Sequence, residues 1–183
     1  MKIRFLVLLL IVASCNNPKS QEQVVDTLIA NPNSRSVSVS NTQRLLKEIM
    51  GTGEGLLRGV KLGDPISEVK KKETLELFEE EPSYVGYTFD SESLETVDIL
   101  YMKDSKQTVS GIQLDIYMNN NSSNDSLKAA MSNLFTTKYG KPSDTGGEVV
   151  WKIKPSGQVS IKTVQSKIDR GLEVKFSKTS KEI

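Results

Sequence analysis

Residues 111–117 read GIQLDIY and residues 171–177 read GLEVKFS. Apolar and polar side chains alternate in both: Ile112, Leu114 and Ile116 in the first, Leu172, Val174 and Phe176 in the second. A period of two is the mark of a β-strand with one buried and one solvated face. The two stretches start sixty residues apart, at Gly111 and Gly171, and Pro82 and Pro142 keep the same interval. The chain from residue 59 onward therefore reads as one unit written twice, residues 59–120 and 121–183.

Each unit is expected to be a helix followed by three strands. The first opens at Asp64-Pro65, with aspartate as cap and proline at the first helical position. Ile66, Val69 and Leu75 then share one side of a helix running to about Phe78, and Pro82 stops it. The strands are SYVGYTF (83–89), TVDILYM (96–102) and VSGIQLDIYM (109–118). The second unit opens at the cap Asn124-Asp125. Leu127, Met131, Leu134 and Phe135, extended by Tyr139, form its apolar stripe, and Gly140 and Pro142 end the helix. Its strands are VVWKI (149–153), QVSIKTV (158–164) and GLEVKFS (171–177). Val85, Tyr87 and Phe89 alternate inward, as do Val97, Ile99 and Tyr101, and Val149, Trp151 and Ile153. Each strand has one face to bury and each helix one stripe. The turns Lys103-Asp104-Ser105-Lys106 and Pro155-Ser156-Gly157 suit hairpins. The fold class that follows is α+β: a two-layer domain with an antiparallel sheet of about six strands and helices on one face.

The segment GVKLGDPISEVKKK, residues 59–72, resembles the Gly-x-x-x-Gly-x-Ser/Thr-x-x-x-Val start of units in the β-lactamase inhibitor protein-like family, although Asp64-Pro65 departs from the turn usual there. TTKYGKP, residues 136–142, is similar to the helix ends of many envelope lipoproteins. The resemblance implies tandem helix-then-strands units that bind other proteins through an open sheet or its loops. It speaks to fold rather than to activity.

The start of the chain reads as a targeting segment. Lys2 and Arg4 precede an apolar run from Phe5 to Ala13, far shorter than the roughly 20 residues a membrane span needs. Val12-Ala13-Ser14-Cys15 resembles the lipobox of bacterial lipoproteins, in which the cysteine is acylated and becomes the new N-terminus. Cys15 is the only cysteine in the chain, and anchoring through it leaves no thiol for a disulfide. Residues 1–14 are then a signal peptide and 15–40 a flexible tether rich in Asn, Ser, Gln and Pro. Asn16 after the cysteine favours the outer over the inner membrane. Asp26-Thr27-Leu28 resembles an O-glycosylation signal of some lipoprotein-rich bacteria. Residues 41–58 make a short helix, capped by Asn41 with Leu45, Leu46, Ile49 and Met50 on one face, and a glycine-rich hinge at Gly51, Gly53 and Gly55. No strand precedes these glycines and no Gly-Lys-Ser/Thr follows, so they do not read as a phosphate loop.

Catalytic groups are scarce. The chain has no histidine, the commonest general base at neutral pH. No Gly-x-Ser-x-Gly or Ser-x-x-Lys motif is present, and no Asp-x-Asp-x-Asp-Gly loop calls for calcium. No metal or cofactor is expected. Charge is distributed unevenly: residues 61–120 carry 6 basic and 13 acidic side chains, whereas residues 121–183 carry 11 and 6, within a total of +1. The polar strand positions continue this division. Tyr84, Asp98, Asp115 and Tyr117 come from the first unit, and Lys152, Lys154 and Lys162, with Lys175 beside them, from the second. The seven form the candidate binding face, suited to a protein partner of opposite arrangement. The lysines also suit lipid phosphates or anionic glycans. Nucleic acid is not expected, since no aromatic residues interleave with the lysines. The expected function is a membrane-anchored, non-enzymatic protein-binding lipoprotein of the envelope. Two alternatives stay open: a small-ligand or glycan binder using a pocket between sheet and helices, and a hydrolase using the carboxylates of Asp98 and Asp115.

Overall fold

The structure, a computed structural model, describes residues 32–166 and 169–179, with side chains from residue 41 onward. The expected signal peptide, Cys15, Asp26-Thr27-Leu28 and the tether as far as residue 31 lie outside the described residues. Helix α1 spans Pro32–Met50. It begins nine residues before the expected cap at Asn41, so the last part of the expected tether is helical. Gly51, with φ of +63°, ends α1 as expected and donates its N–H to Lys47 O at 2.9 Å.

Helix α2 is short, Ile66–Lys72. Asp64 does not cap it: Asp64 Oδ2 accepts instead from Lys61 N at 3.1 Å and Lys72 Nζ at 3.3 Å. The helix also stops well before Phe78. Residues Glu76–Glu81 form strand β1, followed by β2 (Tyr84–Asp90), β3 (Thr96–Lys103) and β4 (Val109–Tyr117). The second half holds α3 (Asn121–Tyr139), β5 (Ser143–Thr145), β6 (Glu148–Ile153), β7 (Gly157–Gln165) and β8 (Arg170–Lys178). The cap of α3 is Asn120, whose Oδ1 accepts from Ser123 N at 2.8 Å. Asn124, expected as the cap, is buried inside the helix.

The strands form a single antiparallel sheet of eight, in the order β1-β2-β3-β4-β8-β7-β6-β5. Six were expected, and the two missed are the outer edges. In β1, ELFEEE is made of residues that suit a helix as well. Pairing with β2 across the Pro82-Ser83 turn decides it. The three residues of β5 are too few to show alternation. Both expected hairpin turns are present, joining β3 to β4 and β6 to β7. The first is tied by Asp104, whose Oδ1 accepts from Lys106 N at 3.0 Å and Thr108 N at 2.8 Å.

Register sorts the strand residues into two faces. Tyr101, Ile112, Phe176, Val159 and Trp151 succeed one another across β3, β4, β8, β7 and β6, and so do Ile99, Leu114, Val174 and Ile161 across β3, β4, β8 and β7. These residues are at most 1% exposed and share one core cluster with Leu45, Leu46 and Ile49 of α1, Ile66 and Val69 of α2, and Leu127, Met131 and Phe135 of α3. Phe135 meets the Trp151 and Phe176 rings edge-on at 5.5 and 5.8 Å. The glycine-rich segment after α1 packs rather than hanging free: Leu57 and Val60 are each 1% exposed and join the same cluster.

An ion pair inside this layer ties that segment down. Arg58 Nε donates to both oxygens of Glu73 at 3.0 Å, and Glu73 also accepts from Tyr101 Oη at 2.9 Å and Thr74 N at 2.9 Å. Arg58 in turn donates to Glu48 O at 2.7 Å. The Glu73 side chain is 1% exposed, and burial together with its charge drives the Tyr101 hydroxyl pKa strongly upward.

Candidate functional site

The other sheet face carries the polar positions of the same strands. One row across it reads Thr88, Asp98, Asp115, Glu173, Lys162 and Glu148, from β2 to β6 in spatial order. Asp98 and Asp115 are direct cross-strand partners, as the strand pattern anticipated. Glu173 stands opposite Asp115 in turn and was missed. It was legible, since the alternation in GLEVKFS places it on the polar side with Lys175. Three carboxylates abreast repel one another. Among the described residues only Glu173 of the three forms an ion pair, with Lys175 Nζ at 2.8 Å. Gln113 Nε2 steadies Asp115, donating to its oxygens at 3.1 and 3.0 Å. Partial burial raises the Asp115 pKa, and the Glu173 and Asp98 charges add to the rise, against the Gln113 hydrogen bond and Lys175.

The other candidates lie around this row. Tyr117 follows Asp115 by two residues on β4, opposite Gly171, and its side chain is 43% exposed. Burial of part of its ring and then the Asp115, Asp98 and Asp169 charges raise its hydroxyl pKa. Lys162 is exposed opposite Glu173. Tyr84 sits nearer the β1 edge, paired with Met102. Its hydroxyl donates to Glu79, which pushes its pKa up to about 12. Lys152 is on the far side of the same face opposite Gln158. Lys154 lies past the end of β6, beside Pro155 and outside the register. Six of the seven candidates thus share a face. Asp98, Asp115, Tyr117 and Lys162 are grouped at its middle, and Tyr84 and Lys152 are separated towards opposite sides.

Strand β1 brings a feature that was not expected because β1 was read as helix. A Cβ at Gly86 would fall 2.8 Å from Phe78 Cε1 and 3.1 Å from Leu100 Cδ2. Phe78 therefore lies across the glycine on the open face, with Leu100 beside it, and remains 44% exposed. The acidic half of the face thus carries an aromatic platform.

The Asp98–Asp115 pair has the composition of an acid–base dyad, but it stands on an open surface. The concavity beside it, lined by Asp115, Tyr117, Val164 and Arg170 among others, measures about 140 Å³. Among the described residues no group of three or more His, Cys, Asp or Glu is arranged to hold a metal ion. A larger cleft of about 570 Å³ lies elsewhere, between α1, the β2–β3 loop and the β4–α3 junction. No family model, no curated protein and no solved structure matches this chain.

Proposed function

We propose that the chain is a lipoprotein of the bacterial envelope, anchored through acylated Cys15 at the outer rather than the inner membrane, whose open sheet face binds another envelope protein without catalysis. The lipobox-like Val12-Ala13-Ser14-Cys15 supports the anchor; two or more acyl chains give stable attachment. In this reading the domain is a tandem pair of helix-then-strands units in two layers, with all helices on the face turned away from the partner.

The observation that carries the reading is the row Asp98–Asp115–Glu173. Like charges side by side on a solvated sheet work against the fold, and Asp98 and Asp115 have no cation bound to them among the described residues. A partner presenting Lys or Arg there relieves that repulsion. Lys162 and Lys152 extend the face with the opposite sign, which fixes the orientation of docking. Phe78 and Tyr117 supply the aromatic contact area that interfaces favour. A hydrolase built on Asp98 and Asp115 is the weaker reading, since the concavity beside the pair, about 140 Å³, is small for holding a substrate against it.

Affinity capture of the acylated protein from its own cells tests this. Reversing Lys152, Lys154 and Lys162 together to Glu is expected to release the partner while the chain stays folded by circular dichroism, with a somewhat lower melting temperature because Glu at 162 would stand between Glu148 and Glu173. Full retention of the partner by that variant contradicts the assignment of these lysines.

A further inference from the structure

The cleft of about 570 Å³ is separate from the open face and has a composition of its own. Its floor is apolar, made by Leu45, Met118 and Leu127, which are 5%, 7% and 0% exposed. Its walls carry neutral amides and hydroxyls from Asn41, Ser93, Asn119, Asn120 and Ser123. The volume lies within the roughly 300–1,000 Å³ of small-molecule sites.

One group in it carries a charge on an otherwise little-exposed side chain. Glu95 lines the cleft and is 7% exposed. Its Oε2 accepts from Ser91 Oγ, and its Oε1 is not one of the fully buried polar atoms left without a partner. A carboxylate that lines a cleft can accept hydrogen bonds from a ligand held there. The loop holds Glu95 in position: Ser91 Oγ accepts from Ser93 N at 3.2 Å and Glu95 N at 3.1 Å, and Asn119 Nδ2 donates to Ser93 O at 2.5 Å. Arg44, the cation of the lining, is already bound to Glu92 across the loop.

The charges and dipoles lining the cleft oppose one another. Glu95 and Glu48 disfavour an anion. The N-terminal turn of the 19-residue helix α3, which brings Asn120 and Ser123 to the cleft, disfavours a cation. A neutral ligand escapes both penalties. Fixed acceptors and fixed donors stand together, so each ligand group must both donate and accept, which is what a hydroxyl does. We propose that this cleft binds a neutral, hydroxyl-rich ligand of the size of a mono- or disaccharide. Adjacent hydroxyls donate to Glu95, other hydroxyls bond the wall amides, and the C–H face of the sugar ring rests on Leu45, Met118 and Leu127.

Saturation-transfer NMR on the full chain, kept in a detergent without sugar headgroups, tests the site. The probes are glucose, galactose, mannose, N-acetylglucosamine and their disaccharides, with glucosamine and glucuronate as the charged arms. At least one neutral sugar is expected to bind and to exceed both charged analogues. Glu95→Gln is expected to weaken it about tenfold or more, the loss of a charge-assisted hydrogen bond. Asn41→Trp, at the exposed rim, fills the cleft without touching the Ser91–Glu95 bond and is expected to abolish binding with the fold intact by circular dichroism. The proposal is overturned if no neutral sugar binds, if a charged analogue binds better, or if binding survives Asn41→Trp.

Discussion

Leu114 of β4 and Val174 of β8 stand directly opposite each other at the centre of the sheet, sixty residues apart in the chain. The relation extends outward: Gly111 faces Ser177 and Tyr117 faces Gly171, and a shift of sixty exchanges the two pairs. The strand order on either side of this junction is likewise mirrored, β1 to β4 against β5 to β8. The polar face of the sheet runs on across this junction, with Asp98 and Asp115 on one side of it and Lys162 and Lys152 on the other.

The two glycines at this junction, Gly111 and Gly171, differ in packing. A Cβ at Gly171 would fall 1.8 Å from Ile116 O, whereas at Gly111 the nearest atom, Phe176 O, is 3.2 Å away. Gly171→Ala must therefore force β4 and β8 apart, and is expected to cost about 3 kcal/mol or more. Gly111→Ala is expected to cost about 1 kcal/mol. Urea unfolding of the two variants compares them. Equal losses would show that the strands accommodate a methyl group at either site.

The Arg58–Glu73–Tyr101 network is expected to be the polar contact on which the glycine-rich segment most depends. Glu73→Gln leaves Arg58, only 14% exposed, without its counter-charge, and should cost about 3–5 kcal/mol. Tyr101→Phe removes only one donor to the carboxylate, for about 1.5–3 kcal/mol. The double variant should lose less than the sum, because the residues share a partner. Additive losses in chemical denaturation would mean that the groups act independently.

Asp115→Asn keeps an acceptor for Gln113 and removes the middle charge of the acidic row. At pH 7 it is expected to stabilise the fold by about 0.5 kcal/mol, or roughly 1–2 °C in melting temperature. The sign reverses the usual carboxylate case. The folded pKa of Asp115 is raised, so the native state binds the proton more tightly than the unfolded chain. Its contribution is complete below the unfolded value of about 3.9 and is lost as pH rises through the folded value. The gain from Asn should accordingly fade as the solution is acidified through that window. A gain that persists at pH 3 would rule out charge repulsion as its source. The same substitution is expected to weaken partner capture, so stability and binding should move in opposite directions.

Alternation made six of the eight strands legible, because in β2, β3, β4, β6, β7 and β8 apolar residues stand at every second position over part of the strand. Alternation is silent at the edges, where β1 buries neither face and β5 has only three residues. Missing β1 also hid Phe78, whose place over Gly86 depends on pairing that no local pattern records. The open-face row was readable wherever a polar residue sat between two buried ones, as Asp98 does between Val97 and Ile99. Glu95 carried a similar signal. It lies two positions before Val97 on the inward parity, and a carboxylate there marks a buried acid at the end of a strand. Glu73 carried none, since its burial arises from Arg58 and Tyr101 converging from distant parts of the chain.

The most direct test of the open face as a docking surface is site-specific photo-crosslinking in intact cells. The crosslinking residue is placed at Tyr117 on the face, and separately at Asn133 on the exposed side of α3 as reference. A discrete crosslinked protein from position 117, absent from position 133 and lost when Cys15 is replaced by Ala, is the predicted result. The same species from both positions, or none from position 117 in acylated and folded protein, would contradict the account.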